Sequence, residues 1–196
     1  TEPIAVAYAA AAARNTLGEL PDKVLVEASG SIIKNVKSVI VPNTGHLKGI
    51  NAAVTAGIVA GNPDKQLEVI AQVSPEQIQQ MKQFMEDVPI EIEHLAGGCT
   101  FDIIVTVYHG EDYAKVRIAN YHTNIVLVEK NRKVLRSEAV SDDSEDGLTD
   151  RTLLDMEHIW DFATTVDISD VKELLDQQIS CNVAIAEEGL KNDYGA

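Results

Sequence analysis

Cysteine, aromatic side chains and positive charge are all in short supply in this chain. Cys99 and Cys181, the two cysteines, are too few and too irregularly spaced for a disulfide scaffold or a zinc motif. They are read as buried thiols in a reducing cytoplasm. Aromatic residues make up 5% of the chain against 45% hydrophobic residues in total, so the interior is expected to be aliphatic and rich in alanine. Lys and Arg number 16 against 31 Asp and Glu, a formal net charge of −15. That balance argues against a nucleic-acid backbone or an anionic membrane as the main partner, because both require clustered cations. No apolar run is long enough for a membrane span, and the alanine run near the start is too short and too small-residued for a signal peptide. There is no internal repeat, and the first residue is Thr1 rather than an initiator Met.

The elements that are present point to a mixed α/β (α+β) fold. In "TEPIAVAYAAAAARN", Thr1 is placed to cap a helix, Glu2 complements its positive end, and Pro3 is tolerated in the first turn. The alanines from Ala5 to Ala13 favour the helix and keep it thin. Gly18 and Pro21 stop it. "KVLVEASG" reads as a short buried strand, Val24 to Ala28, running into a Ser29-Gly30 turn. The spacing of Ile32, Ile33, Val36, Val39 and Ile40 predicts a helix that ends at Pro42, and "HLKGINAAVTAGIVAGN" predicts a second small-residue helix. Ser74-Pro75-Glu76-Gln77 is a capping box opening another.

"TFDIIVTVY", "YAKVRIAN" and "TNIVLVEKN" then predict three antiparallel strands, the first pair joined across His109 to Asp112 and the third leaving through Lys130-Asn131. Residues 141–150, "SDDSEDGLTD", read as an acidic linker between a helix/strand region, 1–140, and a helical segment, 151–196. Ser169 is the expected cap of the last helix. The apolar faces of this segment, with Leu153, Leu154, Ile159, Trp160, Leu174 and Leu175, need a surface to cover.

Three segments place small or hydrogen-bonding residues at the ends of elements: "SGSIIKN", "VPNTGHLKG" and "HTNIV". In the first, free N–H groups and the hydroxyls of Ser29 and Ser31 could bind a carboxylate, or could serve as an ordinary cap. In the second, Asn43, Thr44 and Gly45 have the residues of a tight turn, but the glycine spacing is not that of a phosphate loop. His122, before a strand, could carry a proton near neutral pH. Lys34 and Lys48 stand near the turns as single cations. No Ser/His/Asp order and no metal-ligand spacing is present.

Taken in order, "TEPIAVAYAAA", "SIIKNVKSVIVPNTG" and "LKGI" on either side of His46, and "HTNIV" resemble the L-cysteine desulfidases. They also resemble a related group of uncharacterised bacterial proteins similar to the alpha chain of iron-sulfur L-serine dehydratase. The resemblance implies elimination of sulfide and ammonia from L-cysteine, or of water and ammonia from L-serine, giving pyruvate. It also implies that a Gly-Cys pair precedes Thr-Glu-Pro and supplies one ligand of a [4Fe-4S] cluster, the other ligands lying in a C-terminal half. On that reading the chain is an N-terminal fragment of a cytoplasmic enzyme, without a cluster and inactive alone. Its partners are the amino-acid substrate, the missing half and an optional second copy.

The same resemblance makes Thr1, Glu2, Ser29, Gly30, Ser31, Asn35, Asn43, Thr44 and Gly45 candidates for substrate binding and His122 the candidate for proton transfer. Where the family reads Ser-Gly-Asn, this chain has Ser29-Gly30-Ser31, a hydroxyl for an amide, and both can donate to a carboxylate. Two other classes fit the sequence: an N-terminal-nucleophile hydrolase using Thr1, and a non-catalytic small-molecule-binding domain.

Overall fold

The computed structural model describes residues 1–140, 152 and 154–192, so the 141–150 stretch and Leu153 lie outside the described residues. The fold is mixed α+β, with seven helices and one six-stranded sheet among the described residues. Contacts divide the chain into two units, Thr1–Asp146 and Gly147–Ala196.

In the first unit, helix α1 (Glu2–Leu17) is buried almost all round, with Val6, Ala7, Ala9, Ala10 and Ala13 fully enclosed. Thr1 occupies the cap position without donating or accepting a side-chain cap bond. Gly18 ends the helix in the left-handed region at φ 91°, its N–H donating to the Arg14 carbonyl at 2.9 Å. On one side α1 packs on helix α3 (Gly49–Ala60), and on the other on the sheet. A Cβ built on Gly57 would lie 2.1 Å from the Ala7 carbonyl oxygen, and one on Gly61 2.7 Å from the Ala11 Cβ. The two helix backbones therefore touch, which only small residues permit.

Helix α2 (Gly30–Val36) is shorter than the spacing predicts. Ile40 instead forms an isolated antiparallel bridge with Lys48, Val41 N–H donates to the Leu47 carbonyl at 2.9 Å, and Gly49 N–H to the Val39 carbonyl at 3.1 Å. Pro42 disfavours helical backbone at the preceding residue. Val39 and Ile40 are left exposed rather than buried. A 3-10 helix (Pro63–Glu68) leads towards α4 (Pro75–Asp87), whose capping box forms as predicted: Ser74 accepts from Gln77 N–H, and the Gln77 side chain accepts from Ser74 N–H.

The sheet runs β2-β1-β3-β4-β5-β6. Strands β1 (Lys23–Ala28), β3 (Asp102–His109), β4 (Asp112–Ala119) and β5 (Ile125–Lys130) carry the predicted segments. Two edge strands were not predicted. β2 (Ile90–His94) lies parallel to β1, and β6 (Lys133–Ser137) pairs antiparallel with β5. The chain after Lys130 therefore turns back instead of leaving. Asn131 and Arg132 both take positive φ, 49° and 66°, as a primed hairpin turn requires, and Asn131 Oδ1 accepts from Tyr113 N–H at 2.8 Å. Alternate residues Val24, Val26 and Ala28 of β1 and Ile103, Val105 and Val107 of β3 join the core that α1 fills.

The second unit holds α5 (Met156–Thr165) and α6 (Ile168–Lys191). Asp167, not Ser169, caps α6: its carboxylate accepts from the Ser169 backbone N–H at 2.8 Å and from the Ser169 hydroxyl at 2.7 Å. Cys99 is buried in the first unit, but Cys181 is exposed on α6, where no residue is buried. Among the described residues no helix is long and apolar enough to cross a membrane.

The α1–α3 contact can be tested directly. Gly57→Ala must push two backbones apart and is expected to lower the unfolding free energy in urea by about 1–3 kcal/mol. An unchanged midpoint would contradict the described contact.

Candidate functional site

Three pieces of chain meet at the N-terminal end of α1. Glu2 stands in its first turn, Asn35 on α2, and His122 in the turn between β4 and β5. Asn35 Nδ2 donates to Glu2 Oε1 at 3.5 Å, a long bond. The Glu2 carboxyl is held below its ordinary pKa, first by a hydrogen bond from its own backbone N–H and then, against the opposing effect of burial, by the Thr1 ammonium, which lies 3.3 Å from Glu2 Oε2. The His122 ring lies 4.5 Å from the Phe101 ring at 54°. Its Nε2 is buried and has no hydrogen-bond partner.

Phe101 owes its place to the residue after it. Asp102 is fully buried, and Arg117 grips it with two bonds, Nε to Oδ1 at 2.9 Å and Nη2 to Oδ2 at 2.6 Å. This pairing raises the already high pKa of Arg117. Asp102 Oδ2 also accepts from Cys99 N–H at 3.3 Å, and the Asp102 carbonyl accepts from Ser29 N–H at 2.9 Å. Ser29 in turn donates its hydroxyl to the Thr100 carbonyl at 2.7 Å. A Cβ on Gly98 would lie 2.4 Å from Asp102 Oδ2, so the loop closes tightly over the carboxylate. Asp102, neutralised by the part-buried Arg117, thus holds the start of α2 through its backbone carbonyl and the loop that carries Phe101 through its carboxylate.

The predicted site residues divide into two groups. Glu2, Asn35 and His122 come together, with Thr1 beside Glu2 and Ser31 exposed on the first turn of α2. Ser29 is spent on the loop. Asn43, Thr44 and Gly45 shape their own turn: Asn43 has φ 61° and donates to the Ile70 carbonyl at 3.0 Å, while buried Thr44 donates to the Val41 carbonyl at 2.7 Å. Gly45 has φ 66°, and a Cβ there would lie 3.1 Å from Ile78 Cγ2. Among the described residues no hydrogen bond joins this turn to Glu2, Asn35 or His122. Gly30 faces a residue missed in the sequence: a Cβ on Gly30 would lie 3.4 Å from His94 Nε2. Because β2 was not predicted, nothing in the sequence placed His94 opposite Ala28 and next to Gly30. No group of three or more His, Cys, Asp or Glu is gathered for a metal among the described residues.

The chain is similar along its whole length to proteins named UPF0597. It is 52% identical over 196 residues to one from Desulfitobacterium hafniense, 43% to one from Fusobacterium nucleatum and 40% to one from Treponema denticola. The match accounts for 46% of each of these proteins, so the chain spans about half the length of the curated relatives it matches. No family model matches the sequence. No solved structure matches it.

Removing one partner of the buried pair should be far costlier than a surface change. Arg117→Met leaves Asp102 charged, buried and unpaired, and is expected to cost about 3–5 kcal/mol in urea unfolding. Adding Asp102→Leu to that variant should restore part of the loss. A single variant as stable as the parent would show that the pair does not anchor the loop.

Proposed function

We infer that this chain is the N-terminal part of an iron-sulfur-dependent amino-acid lyase that eliminates sulfide from L-cysteine, or water from L-serine, to give pyruvate and ammonia. The observation that carries this reading is the meeting of Glu2, Asn35 and His122, with His122 Nε2 buried and unpaired. The motif order supports it, as does the match to only about half of longer relatives.

The residues of this chain have separable tasks. The ionised Glu2 takes the substrate ammonium, and the Asn35 amide and Ser31 hydroxyl donate to its carboxylate. Glu2 thereby holds Cα towards His122, whose imidazole accepts the Cα proton. The electron pair left on Cα forms the Cα=Cβ bond as the Cβ–S or Cβ–O bond breaks, releasing hydrosulfide or hydroxide. The aminoacrylate becomes the imine, and water converts it to pyruvate and ammonia. The tilted ring of Phe101, 4.5 Å away, packs against the imidazole. Glu2 stabilises the imidazolium as it forms.

A [4Fe-4S] cluster takes Cys thiolates, and the residues here do not fit one. The only cysteines are Cys99, whose N–H is engaged with Asp102, and Cys181 on α6, and no metal-ligand group is gathered among the described residues. On the proposed reading the ligands come from chain outside these 196 residues, and none of the steps above runs through the cluster. Thr1 heads a helix rather than a strand, so no observation favours the threonine-nucleophile class. A reducing cytoplasm is the expected setting.

The test is pyruvate release from L-cysteine and L-serine by a chain of the relatives' full length that contains this sequence, prepared without oxygen. His122→Asn is expected to lower kcat by about 100-fold or more with KM nearly unchanged. Asn35→Ala should raise KM. Full turnover by the His122 variant would remove it as the base, and no pyruvate from either amino acid would overturn the lyase reading.

A further inference from the structure

Helix α6 has an unusual circumference. At 100° per residue, Leu174, Cys181 and Ile185 form one apolar stripe and Leu175, Ile179 and Val183 another, the two spanning about 200° with Gln178 and Asn182 between them. An ordinary surface helix carries an apolar stripe little more than about 100° wide. The acids Asp170, Glu173, Asp176, Glu187 and Glu188 are confined to the remaining arc. Residues 177–186 contain no charge at all. Lys172, the one cation that falls inside the apolar arc, is paired with Asp176 one turn on. Yet no residue of α6 is buried, and Leu174, Ile179 and Ile185 are 71%, 59% and 70% exposed.

The two stripes are centred about 140° apart around the helix and face different directions, so one flat surface cannot cover both. Two surfaces are needed, one on Leu175, Ile179 and Val183 and one on Leu174, Cys181 and Ile185. A second copy pairing symmetrically through α6 would use one stripe and leave the other wet, and it would add acid to acid. The relatives supply another occupant, since more than half of the length of each lies outside the match.

We propose that α6 is an embedded helix of the full-length protein, its residues 177–186 enclosed on two sides by the chain that the longer relatives carry beyond the matched stretch. The inference stands apart from the lyase reading, because it rests on apolar pattern, charge and chain length alone.

Cys181 is a built-in probe. Its alkylation by N-ethylmaleimide would be followed by peptide mass spectrometry in the 196-residue chain and in a full-length chain containing it, with buried Cys99 as the reference for an unchanged first unit. In the full-length chain, Cys181 should react about 100-fold more slowly than in the 196-residue chain. Equal rates in the two chains would overturn the proposal. So would protection already present in the 196-residue chain: sedimentation would then assign it to a second copy if the chain is dimeric, and to the first unit if it is monomeric. An Ile185→Asp substitution should raise the Cys181 rate in the full-length chain, and failure of that chain to accumulate folded would agree with enclosure. A soluble variant with the parent's rate would contradict it.

Discussion

The approach of α1 to α3 is the constraint from which the first unit follows. Gly57 presents only hydrogen where any other residue would drive a carbon to within 2.1 Å of the Ala7 carbonyl. An alanine helix has little surface to bury per residue, so its stability depends on closeness rather than on bulk. Because α3 takes one side of α1 so tightly, the opposite side is free to lie on β3, β4 and β5. The helix becomes the axis of the unit instead of its wrapping. Its N-terminal end, carrying Glu2, can then meet side chains that come from other elements.

What meets Glu2 is set by a second interaction of a different kind. A buried carboxylate is costly, and Asp102 is tolerated because Arg117 neutralises it in two-bond geometry while Cys99 N–H donates to it as well. Pairs of this kind add little net stability, but they are directional. Here the direction is used: the same residue holds the 97–101 loop by its side chain and Ser29 by its backbone carbonyl. Phe101 is thereby presented to His122. The apolar contact of α1 sets position to within a helix diameter, and the polar contact of Asp102 sets the orientation of individual rings.

The sequence was legible where a single local rule decided the outcome. Alanine run, Gly18 stop and capping box each appear where local chemistry puts them, and the three-strand meander follows from alternation. Failures occurred where a partner distant in sequence decided. α2 stops at Val36 because Ile40 pairs with Lys48 across a turn whose geometry Asn43 and Gly45 impose. The final hairpin was hidden because Arg132, a residue with no turn signature, takes positive φ while Tyr113 accepts from its N–H at 2.9 Å. β2 is five residues of alternating Ile and Glu ending in His94, too short to register alone, and its absence concealed the place of His94. Arg117 and Asp102 lie fifteen positions apart on neighbouring strands, a pairing that needs the register of β3 against β4 to be known.

The two units answer the same physical problem with different side chains. α1 is enclosed over most of its circumference and uses alanine, so α3 comes to backbone contact and leaves little room for adjustment. α6 instead carries two stripes lined with Leu, Ile and Val, which present more apolar area per turn than alanine does. A thin helix suits a place where a terminus must be held close to side chains of other elements. That contrast also accounts for where polar side chains are spent. In the first unit they hold the loop around Asp102, whereas on α6 the acids are confined to the arc opposite the apolar stripes.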